Sequence, residues 1–338
     1  MAGATIYDVA KKAGVSISTV SRVLNNSSRV KESNRERVLQ AIEELGYERN
    51  LLAAALMKKN THTLGLIIAD IANPFYAEIA RAVEDKAAEN HYNVIVCNTD
   101  NDLKKEAAYI AILRQKRIDG IIFTTPEINN HNIKKLYQEQ PDFPMVLIGS
   151  RIEGCTIDTV LVDNSLGTTE AMQYLTSLGH RRIGFIYGLP TTLSSKERLT
   201  GYLNYLVDNG MARDNKLIRG GAFKIENGYQ KARELLQLED PPTAIFAAND
   251  LIAIGALEAA REMGIEVPGE LSILGYDNTS LATITFPRLT CVAQPMAEMG
   301  ARAAEMVIER IQGRRSSPEV VTLLPRLVIR DSTGPLRR

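Results

Sequence analysis

Near its start, the sequence holds a row of side chains whose types suit the edges of DNA bases. An arginine can bridge O6 and N7 of guanine, a β-branched apolar side chain can lie on a thymine methyl, and serine hydroxyls can meet phosphates or base edges. A plain helical hairpin with solvated side chains would carry the same pattern, so the spacing alone leaves both interpretations open. The candidate residues are Ile17, Ser18, Ser21 and Arg22.

A second group of polar residues follows apolar segments late in the chain. Carboxylate and amide oxygens accept hydrogen bonds from hydroxyl groups, while guanidinium and amide groups donate them. An aspartate after a strand often only caps a helix, so these residues are informative as a set rather than singly. As a set they suit a small ligand with several hydroxyl groups. The group comprises Arg198, Asn249, Asp250, Asp277 and Gln294.

The first row requires two short helices joined by a tight turn. Thr5 and Asp8 form a capping-box pattern that begins a helix from about Ile6 to Ala13. Gly14 can adopt the left-handed conformation that ends a helix, and Ser16 can cap the next one. These signals predict a helix-turn-helix. The predicted apolar seam between its helices consists of Val9, Ala10, Ala13, Val15, Val20, Val23 and Leu24.

A third helix and a short helical segment are predicted before residue 60. Ser33 and Glu36 form a second capping-box pattern, and Gly46 ends the helix that they begin. Asn50 can then cap LLAAALM, which is too short to be stable alone. The predicted apolar face of the third helix consists of Val38, Leu39, Ile42 and Leu45.

Residues 5 to 56 resemble the DNA-binding headpiece of the LacI/GalR family of bacterial regulators. The resemblance rests on TIYDVAKKAGVS, TVSRVLN and a GY followed by a short alanine-rich segment that ends in leucine. It implies that this segment is a hinge helix, which forms on the operator and inserts Leu56 into the minor groove as an apolar wedge. Arg49 and Ala54 depart from the family pattern, which usually has proline and arginine there. The implied DNA-binding residues are Thr5, Ser16, Ile17, Ser18, Thr19, Ser21, Arg22, Asn25 and Leu56.

The rest of the chain alternates between short apolar strands and amphipathic helices. The first set of predicted strands, with helices between them, is TLGLIIA, YNVIVCN, GIIFTT and PMVLIGS. The same alternation is then repeated with RIGFIYG, KLIRGG, TAIFAA and LSILGYD. This predicts an α/β fold with two doubly wound lobes of parallel sheet. It resembles the periplasmic sugar-binding-protein fold, which the same family uses as its sensor.

Three domains follow from these predictions. Residues 1–49 form the headpiece, 50–60 the hinge helix and linker, and 61–338 the effector-binding and dimerisation domain. The resemblance implies that the chain crosses between the lobes three times, which places a late helix from about Met296 to Ile311 in the first lobe. The predicted lobes cover about 61–160 and 292–320 for the first, and about 161–291 and 321–333 for the second.

The resemblance assigns the second polar group to a cleft between the lobes. Ligands of open parallel sheets bind at the carboxyl ends of the strands, and in a two-lobed sensor those ends face each other. Four polar residues match positions that grip sugar hydroxyls in the family, and three aromatic residues match the walls against which sugar rings lie. For each aromatic residue alone, a core position is at least as common. The implied effector-binding residues are Phe75, Tyr76, Arg198, Phe223, Asn249, Asp277 and Gln294.

Composition agrees with a cytoplasmic DNA-binding protein. The 338 residues carry 40 basic and 40 acidic side chains, but residues 1–60 hold 10 Lys and Arg against 6 Asp and Glu. A basic segment favours contact with DNA phosphates. No long apolar segment predicts export or membrane insertion. Cys97, Cys155 and Cys291 are far apart and form no CxxC, so neither a disulfide framework nor a zinc site is predicted.

Other classes of function fit the sequence less well. The chain has no GxxxxGK[ST], no GxGxxG after a strand and no HExxH, so neither an enzyme nor a cofactor is predicted. A free sugar-binding receptor would share the lobes, but it needs an export signal and would not carry residues 1–56. The stretch DNTSLATITFPRLTCVAQPM also resembles catabolite-control regulators, whose corepressor is a phosphorylated carrier protein. The sequence therefore predicts a homodimeric regulator, a repressor controlled by a sugar, polyol or sugar phosphate, with a protein corepressor as the alternative.

Overall fold

The computed structural model describes residues 4–24, 29–47, 60–125 and 127–336. Contacts divide the chain into two compact units, with the boundary between Thr61 and His62. The predicted hinge helix, with Asn50 and Leu56, lies outside the described residues, and so does Asn25.

The first unit contains three helices, α1 (Ile6–Ala13), α2 (Ile17–Leu24) and α3 (Glu32–Leu45). At the start of α1, the amide and the hydroxyl of Thr5 donate to Asp8 Oδ2 at 2.8 and 2.6 Å. Gly14 has φ 62°, and the Ser16 hydroxyl accepts from the Thr19 amide at 3.2 Å. These local signals set the turn of the predicted helix-turn-helix, whose seam is the core of this unit.

The start of α3 differs from its prediction. Lys31 occupies the N-cap without a side-chain hydrogen bond, and Ser33 already lies inside the helix, so the predicted Ser33–Glu36 box was wrong. Leu39 is 52% exposed and does not belong to the buried face. The sequence also gave no signal for Arg37, which donates to the carbonyl oxygens of Ala13 and Gly14. This arginine satisfies carbonyl groups at the end of α1 and joins α3 to the turn.

The first lobe of the second unit is built on a six-stranded sheet in the order β11-β5-β4-β3-β1-β2. All five pairings in it are parallel. β1, β3, β4 and β5 are buried almost throughout, as expected where helices cover both faces of a sheet. The elements of this lobe are β1 (Thr63–Ile68), α4 (Pro74–Glu89), β2 (Asn93–Asn98), α5 (Leu103–Gln115), β3 (Gly120–Thr124), α6 (His131–Glu139), β4 (Met145–Ile148), β5 (Asp158–Val162), α12 (Met296–Ile311) and β11 (Val320–Leu323).

The second lobe repeats this plan with the sheet order β12-β10-β9-β8-β6-β7. Its edge strand β12 is antiparallel to β10, whereas the other pairings are parallel. The elements are α7 (Asn164–Ser177), β6 (Ile183–Tyr187), α8 (Leu193–Asp208), a 3-10 turn (Asn215–Leu217), β7 (Ile218–Gly220), α9 (Ile225–Leu236), β8 (Ala244–Ala247), α10 (Asp250–Glu262), β9 (Ser272–Asp277), α11 (Leu281–Ile284), β10 (Thr290–Ala293) and β12 (Arg326–Val328).

The chain crosses between the lobes after β5, after β10 and between β11 and β12. β11 pairs with β5 as far as Leu323, so the last crossing comes after that residue and not near residue 320 as predicted. β5 likewise keeps the chain in the first lobe to Val162, and β10 keeps it in the second to Ala293. Helix α12 packs on α4 and on β3, β4 and β5 of the first lobe. Sheet pairing, which links residues distant in sequence, decides these boundaries.

Two glycines allow α9 and α10 to pack closely in the second lobe. A Cβ atom on Gly255 would lie 2.1 Å from the carbonyl oxygen of Ile225, and one on Gly228 would lie 2.2 Å from that of Ile252. Backbone atoms at these distances cannot yield as a flexible side chain can, so each helix approaches the other where it has no side chain.

We expect Gly255→Ala to lower the free energy of unfolding by about 2 kcal/mol, because the added methyl forces two helix backbones apart. The measurement is denaturant unfolding followed by circular dichroism. Gly264→Ala is the comparison, since its Cβ would meet nothing within 4 Å and only its φ of 71° is unfavourable. It should cost about 1 kcal/mol. Equal losses in both variants would mean that helix packing is not the cause.

Candidate functional site

The carboxyl ends of both sheets line a narrow cleft between the lobes of the second unit. All seven residues that the sequence suggested for effector binding lie on its walls. They are Phe75, Tyr76, Arg198, Phe223, Asn249, Asp277 and Gln294.

Arg198 is held rigidly at the floor of the cleft. It extends from α8, is 3% exposed, and donates from Nε to Asn164 Oδ1 at 2.9 Å and from Nη1 to the carbonyl oxygen of Ala248. Its guanidinium carbon lies 3.6 Å from the centroid of the Tyr276 ring, a cation–π arrangement. These contacts leave the guanidinium little freedom for rearrangement, so its position in the cleft is fixed.

Asp277 faces Arg198 at the end of β9. Its Oδ1 lies 3.9 Å from Arg198 Nη1 and accepts a hydrogen bond from Gln294 Nε2 at 2.6 Å. Its φ of 106° is rare for a residue with a side chain, and such strain is concentrated at functional sites. Burial raises the pKa of Asp277, the Arg198 charge opposes this rise, and the nearby Asp250 carboxylate adds to it. A ligand hydroxyl that donates to Asp277 would stabilise the charged carboxylate.

Asn249 is the N-cap of α10 and Asp250 is its first residue, shortly after β8 ends at Ala247. Asn249 Oδ1 accepts from the Ile252 amide at 2.9 Å and so caps the helix. Its side-chain nitrogen is therefore the group that can meet a ligand. Asp250 is not among the residues that line the cleft, because its Oδ2 accepts from the amide and the hydroxyl of Thr279 at 2.7 and 2.9 Å. It braces the loop that follows Asp277.

The aromatic residues serve both the cleft and the core. Phe75 and Tyr76 lie in the first turn of α4, are 6% and 8% exposed, and belong to the core of the first lobe. Their rings meet edge to face with centroids 5.1 Å apart. The Tyr76 hydroxyl shares a 2.6 Å hydrogen bond with Thr125 Oγ1, and burial raises the pKa of Tyr76 to about 12, so the hydroxyl stays neutral. Phe223, partly buried, packs against the core of the second lobe.

The cleft also contains polar residues that the sequence prediction missed. Asn164 Oδ1 accepts from Arg198, and its Nδ2 donates to Glu197 Oε2 at 2.8 Å. It follows β5, a strand that was not predicted, so the rule that polar residues after strands line the site could not reach it. The other polar residues on the walls that were not predicted are Asn73, Asn101, Thr125, Thr192 and Ser194.

The predicted DNA-reading row lies on the outer face of α2. Ile17 is 40% exposed, Ser18 and Arg22 are exposed, and Ser21 is half-buried. Thr5 and Ser16 are exposed, but both hydroxyls take part in helix capping. Thr19, half-buried, shares a hydrogen bond of 2.9 Å with Ser16. The structure thus leaves Ile17 and Arg22 available at the surface, whereas Ser18 is exposed but its hydroxyl shares a 2.8 Å hydrogen bond with Ser16. The remaining candidates Asn25 and Leu56 lie outside its described part.

The part of the chain that the structure describes contains neither a metal-binding cluster nor a helix that could span a membrane. In residues 4–24, 29–47, 60–125 and 127–336, no three His, Cys, Asp or Glu side chains are arranged to hold a metal ion. No helix in those same ranges combines the length and apolar character needed to cross a bilayer.

Comparisons with known proteins agree with this architecture. Residues 5–50 match the family model described as bacterial regulatory proteins, lacI family. Residues 172–333 match the model of a periplasmic binding protein-like domain. Among solved structures, a lac repressor dimer bound to operator and the anti-inducer ONPF has a TM-score of 0.89 at 27% identity, covering 98% of this chain and 100% of that one. The regulator CelR in complex with cellobiose has a TM-score of 0.74 at 32% identity, with coverage of 97% and 99%.

Curated relatives match along nearly the whole chain. The transcriptional regulator DegA of Bacillus subtilis is 42% identical over 334 residues, which cover 98% of both chains. Catabolite control protein A of Priestia megaterium is 37% identical, with coverage of 97% of this chain and 99% of the relative. The repressor PurR of Proteus mirabilis is also 37% identical, with coverage of 98% and 97%. With a helix-turn-helix unit, a two-lobed binding unit and relatives this similar over full length, the chain belongs to the LacI family of bacterial transcriptional regulators.

Proposed function

We propose that this regulator is a repressor, which binds a pseudo-palindromic operator as a homodimer and responds to a small sugar-like effector in the cleft between its lobes. The observation that carries the proposal is the pairing of Arg198 with Asp277 in the cleft, which Gln294, Asn249 and aromatic residues also line. An effector that binds one arrangement of the lobes more tightly than another would stabilise that arrangement, and it would thereby change the stability of the DNA-bound protein.

The charges of the cleft favour an uncharged ligand with hydroxyl groups. Among the described residues that line the cleft, Arg198 is the only lysine or arginine, and it already faces Asp277 at 3.9 Å. A phosphate group would have to compete with Asp277 for that guanidinium, and a buried charge without a partner is costly. Hydroxyl groups can instead donate to the carboxylate and accept from the guanidinium and amides. The cellobiose bound by the CelR relative has this chemistry.

Two assays test the proposal. Selection of genomic DNA fragments on the immobilised protein, followed by fluorescence titration, should yield a palindromic sequence bound at least about 10³-fold tighter than random DNA. A thermal-shift screen of sugars, polyols and sugar phosphates identifies the effector, because a ligand at about 100 times its dissociation constant stabilises by about 2.7 kcal/mol. Preference for sugar phosphates over every neutral compound would contradict the proposed ligand class.

An exposed apolar surface on the second lobe supports the homodimer. A groove of about 960 Å³ lies between α9, α10 and the loop after α11, lined by apolar side chains that include Ile254 and Leu257. Phe286 at its edge is fully exposed, and Ile284 nearby is 76% exposed. Large exposed aromatic residues are enriched at interfaces. On the rim, Glu258 and Arg261 already form an ion pair with each other within α10 at 2.5 Å. The apolar side chains are therefore the part of the groove that is open to a partner, and a second copy is the occupant proposed for it.

We expect Phe286→Glu to weaken dimerisation by at least about tenfold, because two buried carboxylates would face a shared apolar surface. The measurement is analytical ultracentrifugation over a concentration series, with operator titration as the second readout. Val207→Glu is the control, since Val207 is 72% exposed on α8 and does not line the groove. An unchanged dimer in Phe286→Glu would place the interface elsewhere.

A catabolite-control regulator is the second candidate, favoured by the 37% identity to catabolite control protein A. In that case the corepressor is a phosphorylated carrier protein and not a small molecule. The two candidates differ in one result: a thermal-shift screen without any hit, together with operator binding that rises on addition of a phosphorylated carrier protein, favours the second.

A further inference from the structure

The lobes also meet at a point distant in sequence from the three crossings. The amide of Ile128 in the first lobe donates to the carbonyl oxygen of Thr191 in the second at 3.1 Å. The Thr191 hydroxyl donates to Glu127 Oε1 at 3.0 Å, and Glu127 and Thr192 form an isolated antiparallel bridge. The crossings link the lobes whether they are open or closed, whereas these contacts exist only while the lobes are together.

Both sides of this contact continue into the wall of the cleft. Thr192 lines the cleft, and its hydroxyl accepts from the Ser195 amide at 3.4 Å at the start of α8, which carries Arg198. On the other side Thr125 lines the cleft and bonds Tyr76. Thr125 has φ 44°, which a β-branched residue rarely adopts. A ligand that displaces Thr125 or Thr192 therefore acts on residues next to, or within, the contact.

The first-lobe side of the contact is anchored in its own lobe. The amide of Asn130 donates to the carbonyl oxygen of Glu127 at 3.1 Å, and Asn130 Nδ2 donates to both carboxylate oxygens of Glu106 at 2.9 and 3.0 Å. Glu106 is 7% exposed. These buried side chains hold residues 127–128 in the first lobe. When the lobes open, residues 127–128 must therefore separate from residues 191–192 and cannot move with the second lobe.

The contact is weak enough to be reversible. Thr191 is exposed, and Glu127 and Ile128 are half-buried, so water can replace each of the hydrogen bonds when they break. A second bond between the lobes, from the Ser280 amide to Glu78 Oε1 at 3.4 Å, lies on different elements, α4 and the residue before α11. The exchange of its amide hydrogen can therefore report on lobe opening at a second place.

We propose that Glu127, Ile128, Thr191 and Thr192 form a clasp that holds the cleft closed and that breaks to admit or release the ligand. The clasp rests on the proposed function only in taking the cleft as the ligand site. With such a clasp, the protein is already closed when no ligand is bound. Single substitutions at the clasp should shift the equilibrium between the open and closed states, and they leave the residues predicted to contact the effector unchanged.

The test is hydrogen–deuterium exchange of the full-length protein without ligand or DNA, comparing Thr191→Val with Thr191→Ser. Valine has the shape of threonine but cannot donate to Glu127, whereas serine can. We expect Thr191→Val to lower the ratio of closed to open molecules about fivefold, as the loss of one hydrogen bond would. The amides of Ile128 and of Ser280 should then both exchange about fivefold faster, and Thr191→Ser should match the wild type. Glu127→Gln keeps the acceptor and should also match it.

Faster exchange at Ile128 alone would mean that the contact is local, and the clasp would be wrong. Unchanged exchange at both amides would overturn it equally. A cross-link gives an independent check: in a Cys155→Ser background, Glu127→Cys with Thr192→Cys should oxidise readily, since directly opposed residues of an antiparallel pair have suitable geometry. A pair that stays reduced in the folded protein would contradict the closed state. These measurements involve neither effector nor operator, so their failure leaves the proposed function untouched.

Discussion

Arg22→Ala should lose about 1 to 3 kcal/mol of operator affinity in each half-site while retaining most binding to random DNA. The reason is that Arg22 lies exposed on α2, the second helix of the helix-turn-helix, where a guanidinium can contact a guanine edge in the major groove. The proposed homodimer would contain two such contacts, so its affinity for the whole operator should fall by twice this amount. The measurement is fluorescence anisotropy with the selected operator and with a scrambled duplex, each over a range of salt concentrations.

Arg22→Lys is the matched variant for this experiment. Lysine keeps the charge but lacks the planar fork that binds guanine at two atoms, so it should retain the salt dependence of the wild type and still lose preference for the operator. Equal losses on operator and scrambled DNA would mean that Arg22 contacts only phosphates. The row on α2 would then position the headpiece without reading sequence.

Local signals explain why the headpiece could be predicted in detail. The capping pair Thr5 and Asp8, the left-handed Gly14 and the seam of small apolar residues each act within a few residues of the chain, and the structure confirms all three. The Ser33–Glu36 pattern failed because Lys31 already takes the extended conformation of the N-cap, which starts the helix earlier. A capping motif in sequence is thus a candidate start and not a fixed one.

Non-local pairing explains what the sequence did not predict in the lobes. The apolar runs of β1, β3 and β8 are buried on both faces, so they stand out in the sequence as continuous strands. β11 is a partly exposed edge strand of four residues and is defined by its pairing with β5, which lies some 160 residues earlier. No local pattern reports such a partner, and the predicted crossing between the lobes was misplaced for that reason.

The cleft shows the same division between local and non-local information. Asn249 and Asp277 could be found because each lies at the carboxyl end of a strand that the sequence makes plain, Asp277 as the last residue of β9 and Asn249 two residues after β8. Asn164 could not be found in this way, because it follows β5, a strand that was not predicted. Its hydrogen-bond partner Arg198 also comes from another helix, α8. The residue types therefore predict part of the chemistry of a site. The hydrogen bonds that orient those residues can be identified only from the folded structure.

Arg198 and Asp277 are the residues of the cleft whose loss should matter most. They are 3% and 4% exposed, and no other charged side chain lines the cleft in the part of the chain that the structure describes. Each also orients a neighbour, since Arg198 bonds Asn164 and Asp277 accepts from Gln294. Removing either leaves a buried polar group without its partner in the ligand-bound cleft, at a cost of about 1 to 3 kcal/mol.

We expect Arg198→Ala and Asp277→Ala each to weaken the response to the screened effector about tenfold or more, because 1.4 kcal/mol corresponds to a factor of ten. The measurement is a titration of effector against protein bound to fluorescent operator, with circular dichroism to confirm folding. Arg219→Ala is the control, since Arg219 pairs with Glu234 on the surface of the same lobe, outside the cleft.

The direction of the change shows whether the effector is an inducer or a corepressor. For an inducer, the two cleft variants should bind operator normally and resist release by the effector. For a corepressor, they should fail to be recruited to DNA. Wild-type sensitivity in both folded variants would remove the cleft as the effector site and favour the protein corepressor.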